Sequence, residues 1–361
     1  MERTFLSHVD AAVRNRNSVL RYIKKNEKVS RTDIYESMNI SRASITQIIR
    51  YLQESGLVME TGEGDSTGGR KAMHLKFNGG CKKIYAFDWT TRLLCLMDLN
   101  GTILYDRAIS FDNGIKPVQF AAKLKQEIYE IDTLKMCPEE EIVGFGISLP
   151  GQIDSRSGTV LYSVELGWQN VSLRELFADR FGEGVYLERT GNLMALGELA
   201  RYKMGKCSHF QLFILGTDGI GVSTIIHGGC QHGANYMHGE LGHIKVPENT
   251  ICSCGQRGCL EAVVNDLLLH SNGEFTDRVI DYLAMGVSTS INISDVDTAL
   301  LVGSFVEQMT DEQREKLVYN IRSKVTSQHM RKLKIRFRLD TKGLGLRGIG
   351  EYLFDQIYPV D

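Results

Sequence analysis

Proline is scarce in this chain, 5 of 361 residues, and tryptophan scarcer still, with 2. So little proline beside 36 glycines, 42% hydrophobic and 24% charged residues excludes a collagen-like or proline-rich disordered chain and fits a globular one. No uninterrupted apolar run approaches the ~20 residues that cross a bilayer. The first stretch, MERTFLSHVDAAVRNRN, also lacks the apolar core of a signal peptide. A cytoplasmic protein without membrane insertion is expected. Disulfides are not expected either: Cys81, Cys95, Cys137, Cys207 and Cys230 are scattered, whereas Cys252, Cys254 and Cys259 crowd together, which suits a local metal site. Since single cores stop growing near ~250 to 300 residues, two or three compact units are expected.

A large charge surplus is missing too, the net value being -2, but the two signs are unevenly placed. The first 80 residues carry 13 Lys and Arg against 9 Asp and Glu, and the remainder 29 against 35. A nucleic-acid partner would be met at the basic N-terminal end.

Patterning there supports one. Helical spacing of Val13, Val19, Leu20 and Ile23 predicts a helix over 13–25; Ser30 and Ser41 are N-caps for two more. In the helix over 41–54, Ile45, Ile48, Ile49 and Leu52 share one face. Ala43, Gln47 and Arg50 lie opposite, flanked by Arg42, Ser44 and Thr46. This is the set a major-groove helix needs: Arg and Gln for bidentate base contacts, a small residue for close approach, hydroxyls for phosphates. Gly56 ends the helix, and LVMETG and RKAMHLKF flank EGDSTGG as a two-stranded wing. Its tip, Gly69, Arg70 and Lys71, suits phosphate or minor-groove contact. Residues 1–77 thus read as a winged helix-turn-helix that binds operator DNA; the competing reading is a helical protein-interaction module.

Beyond Asn78 the texture changes to strands, with Asn100-Gly101 as a hairpin turn. Helical patterns then alternate with apolar strands such as IVGFGISL, predicting an α/β fold. A second strand block, FQLFILGTDGIGVSTIIHGG, repeats the theme, as in two lobes around a cleft. The densest chemistry is HGELGHIKVPENTICSCGQRGCLE. His243, Cys252, Cys254 and Cys259 supply one imidazole and three thiols, the donor set of a closed Cys3His zinc site of structural type; unliganded thiols are the alternative. Glu240 and Glu261 bracket it, placed either to accept hydrogen bonds from a polyhydroxylated ligand or as solvated acids.

GGRK closing a winged helix, a strand into SLPGQID, LGW, a GE-rich helix, GELGH and CSCGQRGCLE together resemble the ROK family of repressors and sugar kinases, in its xylose-repressor and N-acetylglucosamine-repressor types. The resemblance covers nearly the whole chain. It implies an actin and hexokinase type (ribonuclease H-like) module over 78–361, with lobes at roughly 78–195 and 196–361. It also implies that Glu240, His243 and Glu261 contact a sugar, His243 binding zinc as well.

Four kinase elements depart from the family pattern. Arg189 and Thr190 stand where kinases carry an Asn-Asp pair whose Asp is the general base. Arg stays protonated and a Thr hydroxyl is far too weak a base. DWTTR replaces a glycine-rich phosphate loop, Asp218 precedes GIG in place of Thr, and GSFVEQ stands where a glycine run is usual. A catalytically silent sensor follows. Arg189 either receives an anionic effector, a sugar phosphate or sugar acid, or pairs with Glu240 or Glu261 and fills the pocket. The expectation is a repressor of carbohydrate-utilisation genes, a homodimer or tetramer because two-fold operators require two-fold proteins. Competing readings are a zinc- or thiol-responsive or ligand-independent regulator and a residual sugar kinase.

Overall fold

The computed structural model describes residues 8–26, 28–63, 73–112, 114–201, 209–217, 219–327 and 332–360. The wing-tip residues Gly69, Arg70 and Lys71, and Asp218, lie outside them. The chain opens with α1 (His8–Lys25), α2 (Arg31–Ser37) and α3 (Arg42–Glu54), followed by antiparallel β1 (Val58–Glu63) and β2 (Met73–Phe77). α1 starts earlier than its apolar spacing indicates. α2 starts where Ser30 closes a capping box: its hydroxyl accepts from the Asp33 amide, and the Asp33 carboxylate accepts from the Ser30 amide. Ser41 caps α3 by accepting from the Ser44 amide. Val19, Leu20, Ile23, Ile34, Ile45, Ile49, Leu52 and Leu75 close this unit's core.

The rest of the chain is built twice on one plan. β3 (Lys83–Asp88), β4 (Leu93–Asp98) and β5 (Ile103–Ala108) form an antiparallel meander. Its turn is tied by the Asp98 carboxylate, which accepts from the amides of Asn100 and Thr102. α4 (Pro117–Thr133) then returns the chain so that β6 (Ile142–Leu149) runs parallel to β3. A small antiparallel sheet, β7 (Gln152–Asp154), β8 (Thr159–Ser163) and β9 (Trp168–Ser172), precedes α5 (Leu173–Phe181). β10 (Val185–Arg189) joins parallel to β6, and α6 (Thr190–Arg201) follows.

The second round repeats the meander with β11 (His209–Gly216), β12 (Gly219–Ile226) and β13 (Gly229–Cys230). After α7 (Leu260–His270) and α8 (Asp277–Ser294), β14 (Thr298–Val302) lies parallel to β11. α9 (Ser304–Gln308) and α10 (Asp311–Lys324) lead to β15 (Lys334–Phe337), parallel to β14, and α11 (Leu344–Ile357) ends the fold. Both sheets have their strands in the order fifth, fourth, first, second, third. β3 and β14 are buried at every position, which explains their continuous apolar runs.

α6 and α11, equivalent in the two rounds, cross backbone to backbone. A Cβ on Gly348 would lie 1.8 Å from the Leu193 carbonyl, and one on Gly197 2.1 Å from that of Leu344. The far end of α11 rests on α1: Arg21 pairs with Asp355 at 2.9 Å and donates to the Tyr358 carbonyl, while Lys24 pairs with Glu351 at 2.7 Å. α11 therefore touches both the helix that starts at Thr190 and the three-helix unit. No described helix is long and apolar enough to cross a membrane.

Candidate functional site

On α3, Ile45, Ile49 and Leu52 are buried, Ile48 is half-buried, and Arg42, Ala43, Thr46, Gln47 and Arg50 are exposed, as the spacing predicts. The polar side chains are not all equally available. Ser44 is half-buried, its hydroxyl 2.9 Å from that of Ser41; Thr46 donates to the Arg42 carbonyl at 2.9 Å. Arg50 pairs with Glu54 at 2.8 Å across open solvent, an interaction that a phosphate would readily displace. Two aromatics that sequence reasoning passed over complete the surface: the Arg42 guanidinium lies 4.6 Å over Tyr35 and that of Arg16 4.2 Å over Tyr51. Their signal was exposure of a large ring on a short helix, which periodicity alone does not reveal.

A second site forms where β10 gives way to α6. Glu188, 1% exposed, ends the buried strand. Four donors meet it: the Arg189 amide at 2.7 Å, Asn192 Nδ2 at 2.9 Å, Ser155 Oγ at 2.9 Å and His232 Nε2 at 2.7 Å. Burial pushes its pKa up, but the hydrogen bond and charge of His232, with the other donors, hold it below the usual carboxylate range. The same hydrogen bond raises the pKa of His232.

Arg189 points across the cleft. Nη2 donates to the His238 carbonyl at 2.7 Å and Nη1 to Glu240 Oε1 at 3.3 Å. Gly239 permits this approach: its φ is +94°, and a Cβ there would sit 1.9 Å from the Val222 carbonyl and 3.1 Å from Arg189 Nη2. Of the two acids expected to meet Arg189, only Glu240 does; Glu261 Oε2 accepts from the Ile220 amide at 2.9 Å. The Thr190 hydroxyl lies 3.1 Å from that of Ser148. Ile153, Glu188, Arg189, Asn192, His232 and Tyr236 leave room for about one water molecule. Glu188, His232 and Tyr236 were not singled out from sequence. A lone Glu at the end of the apolar strand VYLE was the available clue; the loop residues gave none.

Across the lobe, Asp88 closes the DWTTR turn by accepting from the Thr91 amide and hydroxyl at 3.2 and 2.8 Å. Trp89 is buried against Phe111, ring centroids 5.9 Å apart, with the Arg92 guanidinium 3.2 Å over it. An aromatic stack, in place of open backbone amides, builds this turn.

In the metal cluster the ligand atoms of His243, Cys252, Cys254 and Cys259 all lie within 4.8 Å of one another. Cys254 Sγ is 3.7 Å from Cys259 Sγ, and Cys252 Sγ is 3.7 Å from His243 Nδ1. Both match the edge of a tetrahedron with metal–sulfur bonds of about 2.3 Å. Lys245 Nζ lies 3.0 Å from Cys259 Sγ, offsetting thiolate charge. His243 turns Nδ1 to the thiols and Nε2 toward Glu240, 3.9 Å away, so a metal here would also steady the acid that holds Arg189.

A model of the ROK family matches residues 90–273. A putative xylose repressor of Caldicellulosiruptor sp. (strain Rt8B.4) is 31% identical over 264 residues, 71% of this chain and 65% of its own. The chain belongs to the ROK family. This ROK protein is also 27% identical to the DNA-binding transcriptional dual regulator NagC of Escherichia coli K12 over 287 residues, 78% of this chain and 68% of NagC. Its fold matches the crystal structure of a ROK family transcriptional regulator, a homolog of the E. coli MLC protein, with a TM-score of 0.80 at 22% identity, covering 96% of this chain and 98% of that one. A ROK hexokinase from Thermus thermophilus matches at 0.62 and 20% identity, covering 76% of this chain and 99% of its own. The hexokinase likeness identifies the doubled sheet as the two-lobed, actin-like fold. The aligned stretch spans 65% of the length of each of the two Caldicellulosiruptor repressors.

Proposed function

We propose that this ROK protein is a DNA-binding transcriptional regulator, a repressor of carbohydrate-utilisation genes, whose kinase-like part senses and does not catalyse. The observation that carries the reading is the exposed Arg42, Ala43, Gln47 and Arg50 face of α3, in a chain whose general-base position holds Thr190 beside Arg189. Neither side chain can take a proton from a sugar hydroxyl near neutral pH. The names of the repressor relatives support the assignment. Residues 1–77 form the DNA-binding unit and 78–361 the sensor and oligomerisation unit, with lobes at roughly 78–195 and 196–361. Two copies, or two pairs, would present two α3 helices to a two-fold operator. Gly69, Arg70 and Lys71 would add phosphate contacts beside α3. His243, Cys252, Cys254 and Cys259 would hold zinc, closed to substrate and structural in role. Glu240, His243 and Glu261 would stand at the sugar end of the pocket.

Fluorescence anisotropy of the full chain against its own promoter DNA tests this. Salt-sensitive, sequence-selective binding is expected. Gln47→Ala should relax sequence preference, whereas Lys71→Ala should weaken binding to every sequence and lower the salt slope by about one. Equal losses on all DNA from both variants would show the roles to be misassigned, and turnover of ATP with a sugar panel would restore the kinase.

A further inference from the structure

The geometry points to a polyhydroxylated anion, a sugar acid or sugar phosphate, as the class of effector that this pocket takes, with Arg189 receiving its charge and Asn192 one of its hydroxyls. The inference deepens the sensor reading above and rests on it.

Arg189 has five N–H donors, and among the described residues only two are used. One of these, to Glu240, is long at 3.3 Å, and Glu240 is 37% exposed, so water already shares that carboxylate. A planar guanidinium held 17% exposed with spare donors is suited to a bidentate acceptor. Glu188, the buried acid behind it, offers nothing to compete, because its two oxygens already accept four hydrogen bonds. The second observation is independent of Arg189. Asn192 is 2% exposed, and its Nδ2 donates to Glu188, which fixes the amide orientation. Its Oδ1 is buried without a partner, in a wall of the same pocket. A buried acceptor left unpaired costs stability until a donor reaches it. An anion alone cannot supply that donor, and a neutral sugar leaves Arg189 with its present weak partner. A hydroxylated anion answers both. As the structure stands the pocket is closed, so entry must part Arg189 from Glu240 at its rim.

The experiment is calorimetric titration of the full chain with D-glucose, D-gluconate, D-glucose 6-phosphate and inorganic phosphate, which share a skeleton or a charge but not both. Gluconate or glucose 6-phosphate should bind at least about tenfold more tightly than glucose and than inorganic phosphate, and whichever binds identifies the anion as carboxylate or phosphate. Arg189→Lys should lose about tenfold, since a point charge cannot bind bidentately. Glu240→Gln should tighten anion binding, because it removes a competitor and a repulsion together. A role for Arg189 in stability alone would not produce that gain. Glucose binding as tightly as its anionic forms, flat traces with both, or affinities indifferent to Glu240→Gln would each overturn the inference. Promoter binding, followed in parallel without ligand, separates the two readings. Flat titrations by a protein that still binds DNA selectively sink only the effector class, while loss of selective DNA binding sinks the regulator.

Discussion

Glu188 shows how much a single residue at this site depends on its neighbours. Burying a carboxylate costs several kcal/mol unless it is paired and fully hydrogen-bonded, and at 1% exposure Glu188 meets that condition through four donors, one of them His232. The two shifts have opposite signs. His232 sits above its usual 6.5, so its contribution is complete below 6.5 and is lost as pH rises through the folded value. Glu188 sits below its usual 4.5, so its contribution is present above 4.5 and is lost as pH falls through the folded value. The pair is therefore strongest between these two usual values. In urea denaturation, His232→Gln should cost about 1 to 3 kcal/mol at pH 6, and visibly less at pH 8.5, where the wild-type imidazole has shed its proton. A gap of the same size at both values would mean that His232 is neutral in the pair.

Elements differ in how directly the sequence declares them. α3 was legible down to its cap and both faces, because a surface helix writes its burial in a 3.6-residue period and Ser41 marks its start. Ser41→Ala should cost about 1 kcal/mol of stability while leaving the exposed face unchanged, and a loss near zero in chemical denaturation would remove the cap from the argument. The strands β7 to β9 were not legible: three to five residues each, broken by glycine and serine turns, they carry too few positions to show alternation. Nor was the wall of the pocket. Glu188 lies in a strand, Asn192 in a helix and His232 in a loop, and what joins them is the crossing of chain segments 44 residues apart. The metal loop is the opposite case, since its donors are near neighbours and the cluster was read from spacing alone. Between His243 and Cys259 the chain has no helix or strand of its own except the turn at Leu241–His243, so the metal should hold it. About one zinc per chain is expected by elemental analysis. After chelation, trypsin should cut at Arg257, whose carbonyl now accepts from Lys245 beside the thiols. Resistance to trypsin in a metal-free sample would show that the loop stands without zinc.

At the scale of the whole molecule, the DNA-binding helices and the sensor share one core. Val19, Leu20, Ile45 and Ile49 belong to the same buried cluster as Leu193, Ile349, Leu353 and Phe354, with α11 as the bridge. Phe354 is its keystone: it is 2% exposed, packs edge-on to Phe77 at 5.4 Å, and lies under Lys24 at 4.0 Å. The same helix meets α6 through Gly348 and Gly197 with no side chain between, so a displacement of α6 at Arg189 and Asn192 has no soft layer in which to dissipate before it reaches α1. Phe354→Ala should therefore do two things. It should lower global stability by about 3 to 5 kcal/mol, as truncation of a buried ring does, and it should uncouple the two parts. The probes for each are separate. Both tryptophans, Trp89 and Trp168, lie in the first lobe, so their fluorescence reports that lobe alone. Amide exchange over Ile45 to Leu52 reports α3. In the wild type both should follow one cooperative unfolding event. In the Phe354→Ala protein, exchange in α3 should speed up below the urea concentration at which tryptophan emission changes, marking a winged helix that opens alone. Coincident transitions in the variant would mean that the bridge through α11 is packing without coupling, and that an effector in the pocket must reach the operator by way of the subunit arrangement.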